Sequence, residues 1–394
     1  MTDAAPKPRS RVETVLKWVG GVTAVLSLVA GAFTVTRLLA DVQERERYVA
    51  ETLAVGQRQQ GAGDYAAAWA SYDAALASAD AGGQFAKLTG RLSEPRRVLR
   101  HAQAELAMVW LRHISVPAGG RFSDVVDKLL PALERSAATT SGTERADVLA
   151  HIGWGYFLKQ RDRGGGFDPA AQYRAALDVD ADNAYAHAFW GHWLLWQGER
   201  GPDVIDAARA HFDAAARNER VRGEVRALQW SALGNLPNGP GGVEKLRLVQ
   251  QLRRSGEPLP STMLRDARSV YERMVRSRAA PLALAAALPI EEHVDLLNAA
   301  FGGDDAAVHP LRVAAEAMLY EAAGDRAAAR QRWLRVLEDR GSVDPALREQ
   351  AREAYRRLGA RPELGLRLAP RSHMAFGLPN QWEPRSGSLQ ALPA

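Results

Sequence analysis

The stretch Gly63 to Asp80, GDYAAAWASYDAALASAD, sets the terms on which this chain can fold. A Gly-Asp turn opens an amphipathic helix, Ala68 and Ala75 flank the ring of Tyr72, and an acidic turn closes it. Small residues on either side of a ring do not make a core by themselves. They let a second helix approach closely and leave the ring to plug the gap to a third. Such a helix is half of a hairpin, and similar grammar returns three more times further along. The expectation is an all-α array that buries its core hairpin by hairpin.

Composition agrees with that class. Ala, Leu and Arg dominate, and β-branched runs at strand spacing are nearly absent. The net charge of +5 is mild for 394 residues, and the Arg residues alternate with Asp and Glu along helix faces instead of forming a block. No nucleic-acid partner is expected from that pattern. With no cysteine in the chain, disulfides, thiol catalysis and Cys-based zinc sites are excluded.

Residues 1–12 read as a polar, basic leader carrying Lys7, Arg9 and Arg11. The nineteen residues Trp18 to Thr36 hold no charge, and the apolar run continues through Leu38, Leu39 and Ala40 past Arg37. A helix of that length spans a hydrocarbon core of roughly 30 Å, with Trp18 at one interface and Arg37 reaching the other. A single-pass membrane anchor over 13–40 is therefore expected, with the membrane contact at 18–40. A cleaved signal segment and a buried core helix are the competing readings. Lys7, Arg9, Arg11 and Lys17 ahead of the span favour an N-terminus in the cytoplasm and an extracytoplasmic array at the inner membrane. Gly20, Gly21 and Gly31 leave homo-oligomerisation open. The helical pattern runs on past Asp41 to about Gln60, which makes anchor and first repeat helix one rod.

Aligning the chain on itself gives four units. The first has Gly56, then Gly63, Tyr65, Ala68, Tyr72 and Ala75; the second has Gly153, then Tyr173 and Ala176, with Pro169 at a position expected to be small. The third has Trp190 and Gly191, then Ala208, Phe212 and Ala215; the fourth has Ala317, then Gly324, Ala329 and Trp333, with Val336 in place of Ala. This pattern resembles the tetratricopeptide repeat (TPR): a small residue at position 8, Gly-Asp-Tyr at the turn, then small, aromatic and small residues at 20, 24 and 27. The resemblance implies an α-solenoid of stacked helical hairpins with a concave face for peptides or protein segments, and it implies no enzyme activity. By that register the groove lies at Leu53, Gln57 and Gln60 of the first unit and at Tyr185, Ala188, His192 and Leu195 of the third.

Between the units the chain stays helical, from Pro95 to about His113, Ser123 to Glu134 and Thr143 to Gln160. The run Asn235 to Gly242 reads as a turn-rich break. The expected layout is thus a helical array over 41–234, a second array with a repeat-like unit over 243–358, and an irregular tail over 359–394.

No catalytic, cofactor or metal set stands out. His187 and His192 are five apart, which turns them about 140° from each other on a helix, so they cannot share a metal. Glu291, Glu292 and His293 suggest a metalloprotease string but lack its second His four residues on. Gly164 to Gly166 is followed by no Gly-Lys-Ser/Thr and is read as an inter-helix insertion. The expected function is a non-catalytic, membrane-tethered scaffold for protein partners, with a glycan- or peptide-binding envelope protein or an enzyme auxiliary as alternatives.

Overall fold

The computed structural model describes residues 11–197, 201–278, 281–302, 309–339 and 343–359, and the side chains of 11–17, 19–27, 83–84 and 238 lie outside the described set. The expected leader up to residue 10 and the expected tail from 360 fall outside it as well. Among the described residues there are seventeen helices and no strand. The chain divides into two compact units, Met1–Gly241 and Gly242–Ala394.

The first unit holds α1 (Arg11–Gly61), α2 (Tyr65–Asp80), α3 (Gly83–Thr89), α4 (Ser93–Arg112), α5 (Phe122–Ala137), α6 (Gly142–Arg163), α7 (Pro169–Val179), α8 (Ala184–Trp196), α9 (Pro202–Ala215) and α10 (Arg222–Leu233). Four antiparallel hairpins follow one another, α1/α2, α4/α5, α6/α7 and α8/α9. The second helix of each packs on the first helix of the next, and the first helices α4, α6, α8 and α10 lie side by side. Pro169 fits its unexpected place because α7 starts there: a proline in the first turn loses no hydrogen bond.

Side-chain caps start the repeat helices. Asp64, Asp168 and Asn183 accept from the N–H of Ala67, Ala171 and Ala186 at 3.1, 3.1 and 2.9 Å, as does Asp325 from Ala328 at 2.9 Å in the second unit. Gly63 and Gly324 precede two of these caps with φ of 80° and 83°, a backbone region that side chains disfavour.

Inside the α1/α2, α6/α7 and α8/α9 hairpins a missing Cβ meets a ring. A Cβ on Gly56 would run into Tyr72; one on Gly153 would stand 2.5 Å from Cε1 of Tyr173; one on Gly191 would stand 3.0 Å from both Phe212 and the Ala208 carbonyl. Tyr72, Tyr173 and Phe212 are fully buried, flanked by buried Ala68, Ala75, Ala176, Ala208 and Ala215. In the second unit Trp333, Ala329 and Ala317 are buried as well, with alanine in place of the glycine.

That second unit contains most of α11 (Asn238–Ser255), then α12 (Ser261–Ser277), α13 (Leu282–Ala285), α14 (Ile290–Phe301), α15 (Pro310–Ala322), α16 (Arg326–Glu338) and α17 (Pro345–Gly359). The α15/α16 hairpin carries the repeat grammar, α17 packs on α16, and α12 and α14 pack on α15. The turn-rich break is shorter than its composition suggests, because Asn238 to Gly242 already belong to α11.

Among the described residues no helix is long and apolar enough to cross a membrane. The apolar run read as an anchor lies within α1, and the side chains of 19–27, its first half, are outside the described residues. Beyond them Trp18, Leu28, Val29 and Phe33 are exposed along the helix.

Gly153→Ala is expected to lower stability by about 1–3 kcal/mol in urea unfolding, because the ring of Tyr173 has no room to give. Gly223→Ala, at an open position in the first turn of α10 with nothing within 4 Å, is the control and should leave stability within about 0.5 kcal/mol of the parent.

Candidate functional site

The two halves of the expected groove pack on different core clusters. Leu53 packs on the core cluster around Tyr72, whereas Tyr185 packs on the one around Trp154 and Phe157. Gln57 is exposed, and Gln60 commits its amide oxygen to the Tyr72 hydroxyl at 3.2 Å. Ala188, His192 and Leu195 are buried and offer no surface to a ligand, which corrects the register reading at those positions. Aromatic packing between neighbouring first helices is the reason. Phe189 stacks on Trp154 at 4.7 Å, and His192 is held edge-on by Trp154 and Phe157 at 5.1 and 5.3 Å. The seam between α6 and α8 is filled by rings from both sides.

Of the expected groove residues in the third unit only Tyr185, at the start of α8, stays half-exposed, and it belongs to a polar cluster that the sequence does not reveal. Arg112, the last residue of α4, places its guanidinium 4.9 Å over the Tyr185 ring. Its Nη1 donates to Nε2 of His151 at 3.0 Å, and its Nε stands 3.3 Å from a carboxylate oxygen of Glu224 in α10. His151 donates Nδ1–H to the Asp147 carbonyl at 2.7 Å, so its tautomer is set and Nε2 is free to accept. The Asp147 carboxylate accepts from the Asn183 amide at 2.6 Å. Four first helices thus converge on one cation.

The electrostatics follow from this geometry. Burial pushes His151 down to about 3, and the adjacent Arg112 charge pushes the same way. Burial raises the Asp147 carboxyl against the opposing effect of Asn183. His192 falls to about 4, chiefly through burial and then through Arg161.

The other histidines resolve separately. His187 turns away from His192 and meets His211 of α9, with their Nδ1 atoms 2.8 Å apart, while its Nε2–H donates to the Ala181 carbonyl at 3.0 Å. His211 stacks on Trp190 at 4.8 Å. In the second unit Glu292 pairs with Arg254, and buried His293 accepts from the Tyr271 hydroxyl at 2.9 Å while donating to the Leu284 carbonyl at 3.0 Å. Among the described residues no three His, Asp or Glu stand close enough to hold a metal ion.

Half-buried aromatics edge the same row of first helices. Trp110 on α4 meets Tyr65 and Trp69 of α2 at 6.5 and 6.4 Å. On α8, Trp193 donates to Gln160 at 3.4 Å and Trp196 lies edge-on to Phe157 at 5.3 Å.

No family model and no curated protein matches the chain. Among solved structures, the crystal structure of the P58(IPK) TPR domain is similar at 14% identity, covering 79% of this chain and 98% of that one, with a TM-score of 0.16. At that score the superposition carries no argument.

Acid sensitivity follows from the buried imidazoles. Their folded values lie below the ordinary 6.5, so stability is complete above about pH 6.5 and falls as pH drops toward 4, where the unfolded chain takes up protons that the folded one refuses. Nδ1 of His192 is buried without a hydrogen-bond partner. His192→Phe is therefore expected to leave the unfolding free energy at pH 7 unchanged or raised by about 1 kcal/mol, and to flatten the loss between pH 6.5 and 4.5.

Proposed function

We propose that the chain is a membrane-tethered scaffold that holds protein segments against the row of first helices α4, α6, α8 and α10. The carrying observation is the residue mix of that row: half-buried Trp110, Tyr185, Trp193 and Trp196, with Arg112 over the Tyr185 ring. Trp, Tyr and Arg are the side chains that dominate binding energy at protein interfaces, since a ring covers much area at small cost in rotamer freedom and a planar guanidinium presents several donors in a fixed fork. The partner docks over these rings and not in the groove that the repeat register implies. Glu224, half-exposed beside Arg112, gives the surface one acceptor for a basic or amide-bearing partner side chain.

The tether is α1. Support for it comes from the uncharged run Trp18 to Thr36 within a single helix of 51 residues, and from the exposed apolar side chains at its outer end. Exposed Leu, Val and Phe along several turns need an apolar medium or a partner to cover them. The inner membrane is that medium in this reading, with the array on the extracytoplasmic side because of the basic residues ahead of the span.

The test uses the full chain in native membranes, with crosslinking followed by mass spectrometry. Tyr185→Ala combined with Trp193→Ala is expected to reduce capture of the crosslinked partner by tenfold or more, by order of magnitude, with the array still folded by circular dichroism. Unchanged capture by the folded double variant would sink the surface assignment. A reporter active only outside the cytoplasm, fused after Ala394, should be active; an inactive one reverses the topology.

A further inference from the structure

The outer end of the first hairpin carries a feature that the scaffold reading leaves unused. Since α2 runs antiparallel to α1, with Gln59 and Gln60 facing Ser71 and Tyr72 and Arg45 facing Ser78, the connection from α2 to α4 returns to the end of the hairpin from which the apolar arm leaves. That connection is α3. It is fixed there by a small core of its own, in which Val42 of α1 packs with Ala86 and Leu92 and with half-buried Phe85. The Arg91–Glu46 ion pair at 3.1 Å and the Arg96–Asp80 pair at 2.6 Å tie both ends of the connection to the hairpin.

Against this anchoring stands Leu88. At 85% exposure it is the most exposed large apolar side chain among the described residues, one position after Lys87 on a segment held on a rigid base. Val42 lies two residues past Ala40, where the apolar run ends, or about 3 Å along the helix axis. The headgroup layer on each side of a bilayer is roughly 5–8 Å deep, so a segment packed on Val42 stands within that layer when the arm is inserted.

Charge fits the same occupant. Asp41, Glu46, Asp80 and Glu94 are each answered by an arginine, Arg45, Arg91, Arg96 and Arg97. That leaves exposed Arg37, Arg47 and Lys87 against Glu44 and Glu51 without an ion pair among the described residues. An anionic lipid surface meets such an excess with its headgroups.

We propose that α3 is a membrane foot: Leu88 enters the boundary between headgroups and acyl chains, Lys87 meets anionic headgroups, and the two contacts with the arm set the tilt of the first hairpin on the bilayer. A single helix crossing a membrane leaves its soluble domain free to swivel about the helix axis. A second contact removes that freedom. The proposal rests on the tether reading above.

Because the chain has no cysteine, single labelling sites can be introduced cleanly. The full chain carrying Leu88→Cys, or Ala62→Cys at the opposite end of the hairpin as control, is labelled with an environment-sensitive fluorophore. It is then reconstituted into vesicles of phosphatidylcholine with phosphatidylglycerol. Lipid-borne nitroxide is expected to quench the Leu88 site at least about twofold more than the Ala62 site, and Lys87→Glu should reduce that difference. If the protein floats with the vesicles but both sites are equally open to aqueous iodide, the foot is overturned and the tether stands. If it does not float, the tether fails and the foot with it.

Discussion

Three of the four hairpins of the first unit depend on a ring lying where a Cβ would otherwise be. The Gly56–Tyr72, Gly153–Tyr173 and Gly191–Phe212 contacts bring the helices of a hairpin close enough for their backbones to share one ring, which is fully buried. Packing of this kind is stiff, since a ring wedged against backbone has no rotamer to escape into. The next first helix is laid on a surface whose shape is already decided, and each hairpin templates its neighbour.

The close approach has a consequence for binding. With α6 and α8 drawn together, the side chains between them must be flat, and Trp154, Phe157, Phe189 and His192 fill the seam as stacked and edge-on rings. Positions that stay open in a looser array are consumed here by core. What remains accessible are the ends and outer edges of the same helices, Tyr185 and Arg112 among them. Accessible aromatic surface is displaced from the middle of the row to its margin by the very aromatics that fill the seam.

The sequence disclosed the parts of this design that are local. Asp64, Asp168 and Asn183 are caps that act on residues three positions away, and the pairs of small and aromatic residues recur at spacings of 16 to 21 within the first three units, so both are readable from one chain. The α4/α5 hairpin escaped because its packing uses no such pair. Ala104, Ala107 and Leu111 belong to one core with Val126, Leu129 and Leu133, and an Ala/Leu seam looks the same in any helix. Burial of Ala188, His192 and Leu195 was illegible for a different reason: register says which way a side chain points, and only the distance to the next helix says whether anything covers it. The Arg112 cluster is less legible still, as it draws Asp147, His151, Tyr185 and Glu224 from three other helices, with no pair close in sequence except Asp147 and His151.

The continuity of α1 joins these levels. One helix of 51 residues supplies the uncharged run, then Val42 for the base of α3, then Gly56 for the ring of Tyr72. A hinge anywhere between them would uncouple the array from whatever holds the arm; from Val42 onward α1 is instead clasped by α2 and α3 through buried contacts. Rotation of the arm about its own axis must then carry the Gly56–Tyr72 contact with it, and through that contact the hairpins stacked on α2. The orientation of the half-exposed rings on α4 and α8 is thereby referred to the axis of α1 through a chain of close packing, without a flexible linker between.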